Sequence, residues 1–409
     1  MKRFMLAGVL LIDAAVHAQA PAPAEQASPR VSSRAERLHR QALVVDTHDD
    51  TPQRFLFERD FDFGKRNATG HVDIPRMREG GMDAIFFSIW TSSDYTGPKA
   101  VKRSLDLIDT VYQQARRHPR DLMLATIAAD VRRAHREKRI AALMGMEGGH
   151  MIDDDIRVLR MYAALGVRYL TLTHFKNNNW ADSSTDEPRH NGLTAFGKDV
   201  VRELNRLGVM VDISHVSDKT FYDALEVTRA PVIASHSSCR AISSHPRNMS
   251  DDMIRALARN GGVMHINYEV TFLDQAYYDA DRAMGKNIVE QFAELEKQCG
   301  DDAACQIRLS EKNHRDLTAA GKLPRVSWEK IVEHIDHVVK LVGPRHVGLG
   351  SDFDGANMPE GMNDASALPR ITQALLSKGY SEADITGILG GNTLRVMEQV
   401  ERVGSTSVP

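Results

Sequence analysis

Cysteine is scarce, with three residues in 409, and this excludes a disulfide-built scaffold or a cysteine-rich zinc module. An excess of positive charge is also missing. Lys and Arg number 52 against 55 Asp and Glu, a formal net charge of −3, so no nucleic-acid-binding surface is expected. Beyond the first twenty residues, no apolar run approaches the ~20 residues that a membrane-crossing helix needs. The polar end VERVGSTSVP carries no hydrophobic anchor tail, so no membrane anchor is expected. What remains is an ordinary globular composition, 42% hydrophobic and 26% charged, in a chain long enough for one large domain or two to three smaller ones.

The first twenty residues follow a separate logic. Lys2 and Arg3 precede a mostly apolar Phe4 to Val16, and Ala18-Gln19-Ala20 is a small-x-small cleavage pattern. This predicts a secretory signal peptide over 1–20, a flexible Pro/Ala/Ser-rich leader over 21–38 and a folded domain over 39–402. The expected location is outside the cytoplasm, periplasmic in a Gram-negative cell. Export permits a disulfide. Cys299 and Cys305 lie six apart and either pair, leaving Cys239 over, or stand as unrelated thiols.

From residue 40 onward, short apolar runs alternate with stretches of helical period. Eight runs read as strands buried on both faces: 42–46, 84–89, 141–145, 169–173, 209–213, 231–235, 262–267 and 346–350. Amphipathic stretches such as Val101 to Arg117 and Thr194 to Leu207 lie between them. Eight βα units predict an α/β fold, a (β/α)8 TIM-like barrel. One long charged insert, 268–325, separates the seventh and eighth runs. A doubly wound dinucleotide fold would place G-x-G-x-x-G after the first run, where Thr47-His48-Asp49-Asp50 stands instead.

The residues that end these runs carry the chemistry. They are His48 and Asp50 after the first run, Glu147 after the third, His174 after the fourth, His215 after the fifth, His236 after the sixth and Asp352 after the eighth. In a parallel barrel all strand ends open on one face. Imidazoles and carboxylates converging there suit Zn²⁺ or a similar divalent ion. The two-residue strand period sets His48 and Asp50 on one side, facing inward. Glu147 has two carboxylate oxygens and can bridge two ions, with His215 and His236 completing a second site; Gly148 and Gly149 leave room beside it. A second H-x-D, His71-Val72-Asp73, ends no apolar strand and reads as surface loop.

Val45-Asp-Thr-His48-Asp-Asp50, Glu147-Gly-Gly, Leu172-Thr-His174, Asp212-Ile-Ser-His215, Ser235-His236-Ser-Ser, Arg247-Asn248 and Gly350-Ser-Asp352-Phe-Asp-Gly355 together resemble the membrane (renal) dipeptidase family, zinc dipeptidases of the amidohydrolase-like barrel group. The resemblance runs in order from about Leu43 to Thr393. It implies a zinc-dependent dipeptidase with two Zn²⁺ per chain, acting on L-Xaa-L-Xaa and L-Xaa-D-Xaa dipeptides, and a homodimer. By position, His48 and Asp50 would hold one ion, His215 and His236 the other, and Glu147 would bridge. Asp352 would be the acid/base, His174 would steady the oxyanion, Arg247 would grip the substrate carboxylate, and Tyr268 would contact a carbonyl. Thr47 stands where the family commonly has glycine, and Pro246 where it often has a basic residue.

Two other readings stay open. One keeps the barrel and metals but acts on another amide or a lactone, for which Arg247 would be unnecessary. The other is a non-catalytic binding protein on an enzyme barrel, which the intact ligand set argues against. Structural roles are expected for Trp180 and Asp182 (bracing a loop), Asp354 (buttressing one), Cys239 (inert packing), and His334 and His337 (surface or core).

Overall fold

The computed structural model describes residues 30–406. Its strands are β1 (Val45–Asp49), β2 (Ala84–Trp90), β3 (Leu122–Leu124), β4 (Ile140–Glu147), β5 (Val167–Thr171), β6 (Met210–Asp212), β7 (Ile233–Ser237), β8 (Val263–Ile266) and β9 (Val347–Leu349), all paired in parallel. They run in the order β2-β1-β9-β8-β7-β6-β5-β4, and a β2–β4 pairing closes the ring. The eight expected runs are thus the eight staves of a (β/α)8 barrel. The first is found three residues later than expected. The added strand, β3, lies along the start of β4; three residues are too few to show a periodic signal.

Side-chain alternation builds the core. Val45, Ala84, Phe86, Ala141, Leu143, Tyr169, Met210, Ile233 and Val263 form one apolar cluster with residues 394–400 of the last helix. Their neighbours Ile85, Phe87, Ala142, Leu170, Val211 and Met264 belong to a second cluster with the surrounding helices. This is the two-sided burial that parallel strands require. Gly145 has a packing role: a Cβ there would stand 1.8 Å from Cζ of Tyr169, so its hydrogen lets that ring enter the barrel.

Between staves, helices start at side-chain caps. Thr194, Ser217 and Ser250 each accept a hydrogen bond from the backbone N–H three residues on, satisfying a donor the helix leaves free. Among the described residues, no helix is long and apolar enough to cross a membrane.

The insert lies between β8 and β9, the seventh and eighth staves, and it is helical. Its main helices are Gln275–Ala283, Ile288–Cys299 and Ala303–Ala319. Cys299 and Cys305 are joined in a disulfide, and Cys239 is free and buried. An ion pair between Arg308 and Glu58, a His71–Glu311 contact of 3.4 Å and a Ser92–Glu296 hydrogen bond of 2.5 Å dock these helices over the barrel mouth.

Two expectations need correction. The leader was set at 21–38, yet Ser33–Gln41 is a helix capped by Ser32, with Ala35 and Leu38 buried. His39 there bonds Thr372 Oγ1 and Gly80 O, both at 2.7 Å. The folded unit therefore includes residue 33, and the earlier part of the leader and the signal peptide lie outside the described residues. His71-Val72-Asp73 is buried rather than surface loop. Asp73 caps helix Ile74–Gly80, and His71 Nδ1 accepts from the Asp354 N–H.

His39 shows how the fold responds to acid. Burial pushes its imidazole down to about 4, against hydrogen bonding to Gly80, and burial likewise holds His265 and His334 at about 4. Above pH 6.5 such a group is neutral folded or unfolded and contributes nothing to pH dependence. Below that, the unfolded chain takes up a proton that the folded chain refuses, so stability falls as pH drops from 6.5 towards 4. Removing His39 as His39→Gln is expected to flatten this loss by roughly 3 kcal/mol at most, read from unfolding midpoints across pH 7 to 4. An unchanged pH slope would clear His39 of the effect.

Candidate metal centre

The barrel mouth is shaped by two irregular strand ends. Val45 is an interior residue of β1, and simple alternation from it would bring Thr47 and Asp49 inward. Instead β1 slips register against β2 between Asp46 and Asp49, and β7 slips against β8 between Ala234 and Ser237. Such bulges re-aim side chains. The result is that His48 and His236 stack face to face across the mouth, ring centroids 3.8 Å apart. Asp50 is not in the strand at all; it precedes helix Thr51–Phe57. The expected convergence of His48 and Asp50 is found, but it comes from a bulge and a turn rather than from the pleat.

Glu147, at the end of β4, lies between two sets of donors. Its Oε1 is 2.9 Å from His215 Nε2 and 3.1 Å from His236 Nε2, and these two nitrogens are 2.9 Å apart. Its Oε2 is 3.5 Å from His48 Nε2. His48 Nε2 also lies 3.6 Å from Asp50 Oδ2 and 3.9 Å from Asp352 Oδ1, and it makes no hydrogen bond. Donors around one ion at 2.0–2.2 Å stand roughly 3.4 Å apart; the separations here run from 2.9 to 3.9 Å and bracket that value.

The far side of each ring decides which nitrogen faces inward. Tyr169 donates its hydroxyl hydrogen to Thr47 O at 3.1 Å, so its oxygen accepts from His48 Nδ1 at 2.8 Å. Ser235 Oγ donates to Asp212 Oδ2 at 2.6 Å and accepts from His236 Nδ1 at 2.7 Å. Both imidazoles therefore carry their proton at Nδ1 and aim an Nε2 lone pair at Glu147. Burial pushes His174, His215 and His236 well below the usual imidazole range, which leaves them neutral. Three overlapping sets hold donor atoms within 4.8 Å of one another: His48, Glu147 and His236; Glu147, His174 and His215; and His48, Asp50 and Asp352. This clustered donor set, with His48 Nε2 and Asp50 Oδ1 left without partners, fits divalent cations.

The remaining expected residues sort as follows. Asp352 is in the left-handed region, φ +63°, as is His215 at +67°, a conformation costing about 1–3 kcal/mol that such sites tolerate. Asn267 Nδ2 donates to Asp352 Oδ2 at 2.9 Å, and the Glu269 N–H donates to Asn267 Oδ1 at 2.6 Å. The second bond fixes which end of the amide meets the carboxylate. Gly355 has to lack a side chain, since a Cβ would stand 2.1 Å from Asp50 Oδ2. His174 Nε2 is 3.9 Å from Glu147 Oε1, and its Nδ1 accepts from the Trp90 indole N–H at 3.2 Å. An indole nitrogen only donates, so neutral His174 carries its proton at Nε2, towards the pocket. Arg247 is buried and donates from Nη2 to His236 O at 3.0 Å, with its Nε unpartnered. Burial pulls its guanidinium down to about 10 against the attraction of Glu147 and Asp352, so it remains cationic at neutral pH.

Tyr268 departs from expectation. It is buried edge-on against Phe353 and does not line the pocket, because β8 turns it behind the mouth. Gly148 and Gly149 also differ: a Cβ on Gly149 would meet Trp180 at 2.2 Å, so the space serves Trp180 packing rather than the carboxylate. Trp180 and Asp182 do brace the loop after β5, Asp182 by accepting backbone N–H bonds from Arg189, His190 and Gly192. Asp354 buttresses its loop through His71 N and Thr51 Oγ1, both at 2.7 Å. Thr47 Oγ1 lies 2.5 Å from Ser235 O and ties β1 across to β7. Tyr169, Trp90, Asn267, Asp46 and Asp212 were not singled out from the sequence. Apart from Asp46, which shares β1 with His48, they act on the candidate ligands from other strands or the loops after them.

The inner pocket, about 70 Å³, adjoins an outer chamber of about 440 Å³ that shares Phe272, Phe292 and Asp352 with it. Comparison with known proteins gives the family and the fold. The profile described as "Membrane dipeptidase (Peptidase family M19)" matches residues 32–408. "Dipeptidase 3" of Mus musculus is 33% identical over 93% of this chain and 69% of its own length. "Dipeptidase aclJ" of Aspergillus oryzae is 37% identical over 82% of this chain and 71% of its own. Among solved structures, the probable dipeptidase PvdM from Pseudomonas aeruginosa superposes with a TM-score of 0.76 at 27% identity, covering 90% of this chain and 98% of that one. A metallo peptidase from Rhodobacter sphaeroides, liganded with a phosphinate mimic of the dipeptide L-Ala-D-Ala, gives 0.72 at 25% identity, covering 88% and 99%.

The hydrogen bond from His48 to Tyr169 yields a direct test. Tyr169→Phe keeps the ring beside Gly145 and removes the partner of Nδ1 together with the hydroxyl's bond to Thr47 O. Affinity for a divalent cation is expected to fall about 10- to 100-fold, measured by competition with a chromophoric chelator. Unchanged affinity would show that the hydroxyl does not orient His48.

Proposed function

Since the chain belongs to the membrane dipeptidase family, peptidase family M19, we propose that it is a zinc-dependent dipeptidase holding two ions per chain. The observation that carries this reading is Glu147, whose two carboxylate oxygens each face a separate set of imidazole nitrogens. His48 and Asp50 would hold one ion, His215 and His236 the other, with Glu147 shared. When bound, such ions lower the pKa of a water and polarise a carbonyl.

The chain's own groups supply the rest. Arg247 would pair its guanidinium fork with the free carboxylate of the dipeptide and so set the scissile carbonyl over the ligand cluster. Water adds to the carbonyl carbon, forming a C–O bond, and its proton passes to Asp352. His174 donates from Nε2 to the oxygen that gains negative charge. Asp352 then returns the proton to the amide nitrogen as the C–N bond breaks, releasing two amino acids. Burial pushes the Asp352 carboxyl up to about 7, against the attraction of His48, and a group titrating near neutrality both accepts and returns a proton readily. Asn267 holds its Oδ2, which leaves Oδ1 on the His48 side for this work. Both L-Xaa-L-Xaa and L-Xaa-D-Xaa dipeptides are included in the proposal, as is a location outside the cytoplasm. The second rests on the pattern of residues 2–20, which lie outside the described residues.

Chelation is expected to abolish dipeptide hydrolysis and added zinc to restore it. Asp352→Asn should retain zinc but lose about 10²- to 10⁴-fold in kcat; full activity in that variant would remove Asp352 from the reaction. Arg247→Met should raise KM for a dipeptide about 10- to 100-fold, the worth of a charge-assisted hydrogen bond, with little change for the dipeptide amide, which lacks the carboxylate. Equal kinetics on both substrates before and after the substitution would refute the anchor and favour a neutral amide or lactone.

A further inference from the structure

The helices of the insert add nothing to the closure of the barrel, yet two of them turn one face to the inner pocket. On helix Ile288–Cys299 the lining residues are Phe292 and Leu295, three apart. On helix Ala303–Ala319 they are Ala303, Gln306, Ile307 and Ser310, at spacings i, i+3, i+4 and i+7, which is one helical stripe. Phe175 and Phe272 extend this wall. A largely hydrocarbon surface thus stands opposite the carboxylates and imidazoles. Ligand pockets are built in this way, apolar walls with a few placed polar groups.

Gln306 sets one amide into this apolar wall. It is only 4% exposed, and its Nε2 donates to Gly300 O at 2.7 Å. That bond turns the carbonyl oxygen Oε1 away, and this buried acceptor has no partner. Gly300 lies inside the Cys299–Cys305 disulfide loop, so the bridge holds both helices and, through Gly300, the amide. Ser310 Oγ accepts from Asn357 Nδ2 at 3.3 Å, securing the other end of the stripe.

We propose that the inner face of this disulfide-tied helix pair is a side-chain subsite that takes an aliphatic side chain of the substrate. The inference rests on the dipeptidase reading and goes beyond it by naming the side-chain class and the segment that selects it. A glycine residue has no side chain to place there, so preference for leucine over glycine isolates the wall from the metal chemistry.

The test compares kcat/KM on Gly-Gly, Leu-Gly and Gly-Leu, together with binding of the matching phosphinate mimics, in the zinc-loaded protein. At one of the two positions leucine is expected to be preferred about 10- to 100-fold, the range a hydrophobic pocket delivers. Ile307→Asp should reduce that ratio about tenfold or more, and so should the pair Cys299→Ser and Cys305→Ser. The ratio is informative even if a variant loses activity through partial unfolding, because such loss lowers all three substrates together. Hydrolysis without a leucine preference, or a preference that Ile307→Asp leaves intact, would overturn the subsite alone. A preference surviving loss of the disulfide would overturn the role of the bridge. Failure to hydrolyse or bind any of the three would overturn the dipeptidase reading and the subsite with it.

Discussion

Everything at the barrel mouth depends on the crowding of three carboxylates, buried Asp50 and Glu147 and half-buried Asp352, around the rings of His48, His215 and His236. Like charges taken out of water and crowded together are costly. The neutral rings of His215 and His236 do not offset that charge. Cations do, and the donors are turned towards one another at the spacing that ligands of one ion adopt. Glu147 is the centre of this arrangement because it faces both imidazole sets at once. A side chain with a single donor atom at that position would leave two half-sites.

The rest of the barrel works to hold these donors still. Asp212 spans β5, β6 and β7 through Thr171, Ser214 and Ser235, and Asp46 ties β1 to the loop after β9 through Ser351. Gly145 opens the interior to Tyr169, whose hydroxyl then fixes the tautomer of His48. The chain of cause runs from a missing Cβ on one strand to the lone pair of a ligand on another. Left-handed backbone at His215 and Asp352 is local strain sustained by this surrounding network.

Over this rigid floor the insert adds a different kind of surface. The barrel supplies charge, hydrogen-bonding and metal-binding groups, while the insert supplies hydrocarbon and one amide. Catalytic chemistry and side-chain selection thereby reside in separate parts of the chain, so the second can vary without disturbing the first.

A large share of this was readable without coordinates. Eight apolar runs, six of them ending in a candidate ligand or catalytic residue, were sufficient for the barrel and for gathering His48, Glu147, His174, His215, His236 and Asp352, because a parallel barrel brings all strand ends to one face whatever the side-chain detail. Asp50 was also identified, but for the wrong reason. The pleat does not aim it, and the bulges in β1 and β7 that do aim His48 and His236 arise from pairing between strands, which no single run reveals. Tyr268 was expected at the site on a loose likeness to the family, yet it packs behind the mouth. The helix at 33–41 looked like leader because its burial depends on helix 369–377, distant in sequence. Local periodicity and strand-end chemistry determined the fold class and the candidate ligand set. Tautomers, bulges and the wall over the pocket were decided only by tertiary structure, because each depends on a partner that the sequence places tens to hundreds of residues away.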